Sequence, residues 1–350
     1  MTVQPVISEG AKAHSLYPAG IRSLAQTIPA TSRIGKSPLR RRLDAVFIPC
    51  RNRAKNLASL LNDLLWLDAP IFVIPSSDRD IELLDSKHRA RIERLPVSPP
   101  EVREYLRGLR TTRHRFAARD WTSWDLSLKR SAALLFARRR SYSSILFLDD
   151  DIRSITESTV LNGVTSLERF PLGGCFIEGF PDTSVLGHLL RVVGLPEPTF
   201  LSGSFLFVDP QQTRAFFPAI YNEDWLFMLP HLLAKEVCAV GAVTQLPYDP
   251  FRTSARAAFE EFGDLIVDAL FSLVLDGGYD RRHSLAFWAD ALAERHGLLT
   301  SLVGNTSLTR DQLRSAQAAL RVCVGVWPTD CVDFVEGWEQ DLEAWRAFTD

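Results

Sequence analysis

The stretch Ile145-Leu146-Phe147-Leu148-Asp149-Asp150-Asp151 decides the fold, because four apolar residues run directly into three consecutive carboxylates. Parallel strands that are buried on both faces read as continuous apolar runs, and open α/β sheets bind ligands at the carboxyl ends of such strands. Carboxylates clustered there repel one another unless a cation or hydrogen-bond donors compensate them. A divalent ion such as Mg²⁺ or Mn²⁺ would do so and would favour a phosphate ligand. The alternative is a solvated acidic turn after a core strand.

The surrounding sequence predicts an α/β domain with a parallel sheet. Residues 43–48 form an apolar strand pattern that Pro49 closes, residues 56–66 have helical spacing, and residues 70–75 form a second apolar strand. This strand–helix–strand order is typical of the start of a parallel α/β sheet. Further elements are predicted as a helix over residues 126–140 and short strands over residues 173–177 and Phe205–Val208.

The pattern changes after about residue 250, where long amphipathic helices are predicted at residues 255–275, 284–296, 310–324 and near 334–348. Three regions follow from these patterns. We expect a poorly ordered N-terminal tail or arm over residues 1–40, an α/β domain over 41–250 and a helical C-terminal extension over 251–350.

Composition excludes several classes of protein. The chain has 350 residues, of which 46% are hydrophobic and 23% charged, as in a soluble globular protein. No apolar run approaches the ~18 residues of a membrane helix, and the N-terminal residues lack the apolar segment of a secretory signal. The five cysteines are scattered without C-x-x-C spacing, which argues against a disulfide framework or a zinc site. We therefore expect a cytoplasmic protein with no membrane span.

The net charge of −2 conceals an asymmetry along the chain. Residues 1–140 contain 26 Lys and Arg against 13 Asp and Glu, whereas residues 141–350 contain 14 against 29. A basic half beside an acidic half could bind nucleic acid, a phosphorylated ligand or a partner protein. The sequence has no zinc finger or aromatic RNA-binding motif, so we expect a phosphate-rich small ligand and no nucleic acid.

Four pieces of sequence follow one another in an informative order. They are Pro49-Cys50-Arg51-Asn52-Arg53 after the first strand, Ser76-Ser77-Asp78 after the second, the Asp149–Asp151 triplet, and Ser202-Gly203-Ser204 followed by Tyr221-Asn222-Glu223-Asp224-Trp225. This succession resembles the GT-A-fold glycosyltransferases, particularly the family-2 type, over about residues 43–250. The resemblance implies a Rossmann-like, mostly parallel central sheet flanked by helices. It also implies transfer of a sugar from a nucleotide-diphosphate sugar to an acceptor hydroxyl.

The resemblance gives the donor side of such a site. It implies that Asp151 is the main ligand of Mg²⁺ or Mn²⁺ and that Asp149 contacts the ribose or the metal, with Asp150 sharing either task. A metal that bridges the two phosphates would neutralise the charge on the departing diphosphate. The positions that grip the nucleotide are Pro49, Arg51, Asn52 and Asp78, and Lys129 and Arg130 are candidates for the diphosphate or are helix-surface charges.

The acceptor side follows from the same resemblance. An inverting transfer needs a base for the acceptor's proton, and this role maps to Asp224, with Glu223 as a second candidate. Trp225 would stack on a sugar or an aromatic acceptor. The acid pair also fits a helix N-terminus capped by Asn222. Ser202 and Gly203 form either a close-approach loop near the acceptor or an ordinary tight turn.

The sequence departs from the family in one respect, since many GT-A enzymes add a His ligand from a later loop. His231, His283 and His296 have no persuasive context, and His231 is expected to be structural. One possibility is that diphosphate and water complete the coordination of the metal. The other is that the metal dependence is weak and that Arg252 or Arg256 binds the diphosphate instead.

Two rival functions remain open. A haloacid-dehalogenase-type phosphatase or phosphotransferase would use Asp149 and Asp151, although Ile152-Arg153 stands where that family has Thr or Val. A non-catalytic GT-A-like scaffold would use the helical region to recruit a partner.

Overall fold

The computed structural model describes residues 28–30, 41–96, 100–117, 125–197 and 200–349, and an eight-stranded mixed sheet organises them. The spatial order of the strands is β3-β2-β1-β4-β7-β6-β8-β5. The strands are β1 (Ala45–Cys50), β2 (Ile71–Pro75), β3 (Ile92–Arg94), β4 (Ile145–Leu148), β5 (Ile152–Arg153), β6 (Leu172–Gly179), β7 (Phe205–Val208) and β8 (Val237–Gln245).

Helices flank the sheet and form the C-terminal region. Those before residue 200 are α1 (Ala54–Asp63), α2 (Arg79–Glu82), α3 (Ser86–Arg89), α4 (Pro100–Gly108), α5 (Arg110–Arg113), α6 (Leu126–Arg139), α7 (Glu157–Ser166) and α8 (Val185–Val192). Those after it are α9 (Glu223–Leu233), α10 (Ser254–Leu275), a 3-10 helix (Tyr279–His283), α11 (Leu285–Val303), α12 (Arg310–Val324) and α13 (Pro328–Thr349).

The central strands are buried along their whole length, which explains their uninterrupted apolar sequences. Every residue of β1, β2, β4 and β7 is buried. Parallel pairs join β1 to β2 and β4, β2 to β3, and β6 to β8. The pairs β4–β7, β6–β7 and β5–β8 are antiparallel, so the sheet is mixed. Six of its eight strands, all except β5 and β7, run in one direction, in keeping with the mostly parallel sheet that the sequence predicted. Because β7 lies between β4 and β6 and opposes both, those two strands run in the same direction.

The order of the strands creates a crevice at one edge of the sheet. From β1 the chain moves outward to β2 and β3 and then returns to β4 on the other side of β1. Ligands of open α/β sheets bind at such a switch point, outside the carboxyl ends of the strands. Since β6 and β8 run parallel to β4, the loops after β1, β4, β6 and β8 and the loop before β7 meet at this edge.

The predicted elements at β1, β2, β4, β6, β7, α1, α6 and in the C-terminal region are present within a few residues of their expected ends, except that α11 and α13 are longer than predicted. Periodicity did not predict β3, β5 and β8. The first two are short, and β8 contains Ala and Gly between its valines, which weakens the apolar signal.

The helical C-terminal region packs on the sheet domain. Its tryptophans Trp288, Trp338 and Trp345 are buried in the same apolar core as the central strands. Of the predicted N-terminal tail, residues 28–30 are described: Ala239 N on β8 donates to Pro29 O at 3.0 Å. The rest of that tail lies outside the described residues. Within the described part of the chain, no helix combines the length and the apolar character needed to cross a membrane.

Candidate active site

The crevice at the sheet edge opens into a cleft of about 760 Å³, within the range of roughly 300–1,000 Å³ that is usual for small-molecule sites. The loops after β1, β4, β6 and β8, the loop before β7 and the beginnings of α9 and α10 form its wall. The residues predicted from sequence that line it are Pro49, Arg51, Lys129, Arg130, Asp149, Asp150, Asp151, Ser202, Glu223, Asp224, Trp225 and Arg256, whereas Gly203 is not part of the wall.

A buried arginine joins the acidic triplet to the acid pair. Arg130 on α6 donates from Nη1 to Glu223 Oε1 at 2.9 Å and from Nη2 to both oxygens of Asp149 at 3.0 and 3.1 Å. Burial raises the pKa of Asp149 to about 6 and that of Glu223 to about 8, while the Arg130 charge opposes both shifts. Arg130 therefore holds the end of β4 and the start of α9 together.

A second arginine faces the other two acids of the triplet. Arg53 Nη1 donates to Asp151 Oδ2 at 2.5 Å and to Asp150 Oδ1 at 3.3 Å. The Arg53 side chain is 46% exposed, whereas both carboxylates are buried. Burial, reinforced by Asp151 and Asp149, raises the pKa of Asp150 to about 7. The counter-charge of this pair is a solvent-accessible side chain that a cation can displace.

These surroundings define what kind of metal the triplet fits. Among the residues that the structure describes, no group of three or more His, Cys, Asp or Glu side chains is arranged to hold a metal ion. Arg130 donates hydrogen bonds to both oxygens of Asp149, so Asp151 and its neighbour Asp150 are the available ligands. Mg²⁺ commonly binds through one or two carboxylates together with substrate phosphates and waters. Asp150 and Asp151 would therefore hold such an ion only together with ligands from outside the described residues.

Asp224 is fixed by backbone donors at the start of α9. Its Oδ2 accepts from Gly203 N at 2.7 Å and its Oδ1 from Trp225 N at 2.9 Å, and burial raises its pKa. A Cβ at Gly203 would lie 2.5 Å from Asp224 Cβ and 2.8 Å from Arg130 Nη1, so only glycine fits there. The loop before β7 is thus a close-approach loop and not an isolated turn.

Asn222 occupies the N-cap position of α9 in the left-handed region, with φ 61°, and its side chain makes no capping hydrogen bond. Its Nδ2 donates to Asp264 Oδ1 on α10 at 3.2 Å instead. The expectation that Asn222 caps the helix through its side chain is therefore wrong, because its backbone is left-handed and not in the extended conformation in which an N-cap oxygen accepts from the first turn.

Of the residues assigned to the nucleotide, Lys129 lines the cleft but binds neighbouring loops, and Asp78 and Asn52 lie outside the cleft wall. The ammonium of Lys129, which has three N–H donors, contacts Cys50 O at 2.8 Å, Ser76 Oγ at 2.6 Å and Asp125 Oδ1 at 3.1 Å. Lys129 thus braces the ends of β1 and β2. Asp78 is exposed and pairs with Arg94, and neither Asp78 nor Asn52 is part of the cleft wall.

The structure also adds residues to the cleft. Asp182, in the loop after β6, accepts from the hydroxyls of Ser202 and Ser204, the latter at 3.3 Å. Tyr248 also lines the cleft, and its Oη accepts from Nη2 of Arg256 at 3.2 Å. Arg256, which the sequence offered as a diphosphate contact, lies in the cleft wall and pairs with Glu260, whereas Arg252 is not part of that wall. Sequence reasoning missed Asp182 because only the direction of β6 relative to β4 brings that loop to the same edge.

His231 lies in α9, as the sequence predicted, and its Nδ1 is 2.9 Å from Glu236 Oε2 in the connection between α9 and β8. Comparison of the chain with protein-family models and with curated protein sequences found no match.

Proposed function

We propose that the protein is a glycosyltransferase that moves a sugar from a nucleotide-diphosphate sugar to an acceptor hydroxyl. The observation that carries this proposal is the pair of contacts by which Arg130 links Asp149 to Glu223. It brings the carboxylates after β4 and the acid pair of α9 into one cleft at the switch point of the sheet. In a direct displacement, the donor diphosphate and the acceptor hydroxyl lie on opposite faces of the transferred sugar. The carboxylates after β4 would serve the diphosphate, and the acid pair of α9 would serve the hydroxyl.

The chemistry assigns one role to each side. The acceptor oxygen attacks the anomeric carbon, the bond from that carbon to the diphosphate oxygen breaks, and its electron pair leaves with the diphosphate. The acceptor proton passes to a carboxylate, as general-base catalysis requires. Asp224 is the preferred base because both its oxygens are oriented by backbone N–H groups, whereas Glu223 is bound to Arg130. Direct displacement by the acceptor inverts the anomeric centre.

Mg²⁺ or Mn²⁺ fits the donor side in this proposal. Asp151 and Asp150 would hold the ion, and it would supply neutralisation of the charge on the leaving diphosphate. Arg53 would then be released from Asp151, free to contact a phosphate oxygen. Arg51 and Pro49 line the neighbouring wall after β1, where the nucleoside would lie.

The two rival functions receive less support. A phosphatase of the haloacid-dehalogenase type needs a free nucleophilic carboxylate, and Asp149 has both oxygens engaged by Arg130. A scaffold does not require a cleft lined by buried carboxylates whose burial and mutual repulsion destabilise the fold.

The experiment that tests the proposal is the thermal stabilisation of the protein by UDP, GDP, TDP, CDP and ADP, each with and without Mn²⁺. A ligand present at 100 times its dissociation constant stabilises the folded protein by about 2.7 kcal/mol, which a melting curve resolves. We expect a metal-dependent shift with one nucleoside diphosphate. If folded protein shifts with none of them, the glycosyltransferase proposal is wrong.

A further inference from the structure

We propose that Asp182 is a second acceptor-binding residue, and that Asp182 and Asp224 together select an acceptor with two neighbouring hydroxyl groups, as in a sugar or polyol. The inference rests on the proposed function, because it concerns the acceptor half of the same cleft. Sequence patterns gave no role to Asp182, which reaches the cleft from the loop after β6.

The carboxylates of Asp182 and Asp224 are adjacent because they accept hydrogen bonds from consecutive residues of the loop before β7. Ser202 Oγ donates to Asp182 Oδ2, and Gly203 N donates to Asp224 Oδ2 at 2.7 Å. Asp182 comes from the loop after β6 and Asp224 from the first turn of α9. The loop before β7 therefore sets the spacing between two acids that arrive from different elements.

Asp182 lines the cleft, and one of its two oxygens accepts no hydrogen bond from the described residues. Its hydrogen bonds from Ser202 and Ser204 both end on Oδ2, and within the described part of the chain no hydrogen bond reaches Oδ1. The residue is exposed although it lies in the cleft wall. The carboxylate can therefore accept a hydrogen bond from a bound molecule without giving up one that it already has.

Neither Asp182 nor Asp224 has a salt bridge to a described Lys, Arg or His, in contrast to the other acids nearby. Arg130 pairs with Asp149, Arg53 with Asp151, and Arg256 with Glu260 at 2.5 Å. Each carboxylate offers about four acceptor positions. Two such groups side by side match two hydroxyl donors, of which the one at Asp224 loses its proton during transfer.

The walls near these acids fit the apolar face of a sugar ring. Trp225, Phe200, Tyr248 and Phe259 line the cleft, and the Trp225 ring is 5.6 Å from the Phe200 ring. An acceptor that carries a phosphate or carboxylate beside its hydroxyls would be repelled by Asp182 and Asp224. The geometry thus favours an uncharged hydroxyl-rich acceptor over an anionic one.

Saturation-transfer NMR tests this inference with the methyl glycosides of glucose, galactose and mannose, in the presence of the nucleoside diphosphate that stabilises the protein. We expect wild type to bind at least one glycoside and Asp182→Asn to bind it about 10- to 100-fold more weakly, as loss of a hydrogen bond to a charged group predicts. Asp290→Asn, an exposed change of the same kind on α11, should bind like wild type.

Monodeoxy versions of the bound glycoside complete the experiment. Removal of the hydroxyl that Asp182 holds should weaken wild-type binding as much as Asp182→Asn does, and it should not weaken the variant further. The wild-type arm of this comparison, in which each deoxy glycoside is measured against its parent, does not depend on how the variant folds.

Nucleotide binding without binding of any glycoside overturns the inference, as does equal glycoside binding by wild type and Asp182→Asn. Both results leave the proposed function standing. Absence of a nucleotide shift in wild type removes the proposed function itself.

Discussion

Asp149, Asp150 and Asp151 are adjacent in sequence but have three different environments. The buried Arg130 engages both oxygens of Asp149, and Asp150 is buried with a pKa of about 7. Asp151 accepts its strongest contact from the exposed Arg53. Displacing Arg130 would leave buried charges without partners, whereas Arg53 can move into solvent. In the proposed function, Asp151 is therefore the residue of the triplet that would exchange its partner for a metal ion.

Asp151→Asn should lower turnover by about 1,000-fold, because neutralising the leaving diphosphate through a metal is worth several kcal/mol. The fold should survive, since the amide keeps the shape of the carboxylate and Arg53 retains Asp150. The measurement is the Mn²⁺-dependent melting shift with the nucleoside diphosphate, together with turnover. Asp68→Asn, an exposed change, is the control. A variant that folds and turns over normally would contradict the role of Asp151 as metal ligand.

Gly203→Ala should reduce turnover about 100-fold without unfolding the protein. The added methyl group meets Asp224 and Arg130, so the base must shift, and a displacement of about 1 Å near the chemistry costs about 100-fold. Gly297→Ala is the matched control, because nothing lies within 4 Å of its Cβ. In the interior of α11 this change should instead raise stability by about 0.5–1 kcal/mol. The measurements are turnover and urea unfolding of both variants. Equal turnover in Gly203→Ala and Gly297→Ala would contradict the prediction.

A position directly after a strand predicted part of the site, although Asp78 after β2 has this position and does not line the cleft. The triplet after β4 and the loop after β1 have this position, and both line the cleft. Asp182 was not predictable, because its distance from the triplet depends on the pairing of β6 with β7 and of β7 with β4. The bracing role of Lys129 was equally hidden, since a helix position does not reveal which loops its side chain reaches.

At the level of elements, α10 links the helical region to the start of α9. Its acidic residues Glu261, Asp264 and Asp268 surround the fully buried Arg295 of α11, with oxygens at 2.8–3.1 Å from the guanidinium. Asp264 also accepts from Asn222, which directly precedes the acid pair. The C-terminal helices thereby support the geometry of the cleft through one buried ionic cluster.

Arg295→Met should destabilise the protein by about 3–5 kcal/mol, because it leaves buried carboxylates without their counter-charge. Arg314→Met on α12 is the control, since that side chain is 53% exposed and its pair with Asp311 spans 3.5 Å. Such surface pairs contribute about 0–1 kcal/mol. Chemical denaturation measures both changes. Equal stability losses in the two variants would show that the buried cluster contributes no more than a surface pair.

The sheet and the C-terminal helices show why elements were easier to predict than their arrangement. The uniform burial of β1 and β4 leaves a continuous apolar sequence, and the long helices have clear periodicity. The antiparallel insertion of β7 between β4 and β6 has no local signal, because a short buried strand reads the same in either direction. Only the folded sheet shows that β7 presents its first residue, and so the loop before it, to the cleft.

Across the whole molecule, the acidic cleft makes stability depend on pH. Burial raises the pKa of Asp149 to about 6, of Asp150 to about 7 and of Glu223 to about 8. Between their unfolded values and these folded values, the folded state binds more protons than the unfolded state. Stability therefore falls as the pH rises through this window. The lowered pKa of His188, about 4, acts in the opposite sense, but only below about pH 6.5.

The melting temperature should therefore decrease from pH 6.5 to pH 8, the range that contains the folded-state pKa values of Asp150 and Glu223. Asp150→Asn should melt higher than wild type at pH 8 and show a shallower decrease, since the amide has no charge to bury. Nucleoside diphosphate with Mg²⁺ should also flatten the wild-type decrease, because a metal binds the deprotonated carboxylates and gains affinity as they ionise. Melting curves at four pH values, with and without these ligands, measure all three effects. A wild-type melting temperature that rises over this range would mean that the carboxylates of the cleft are already compensated, and the need for a metal there would disappear with the pH dependence.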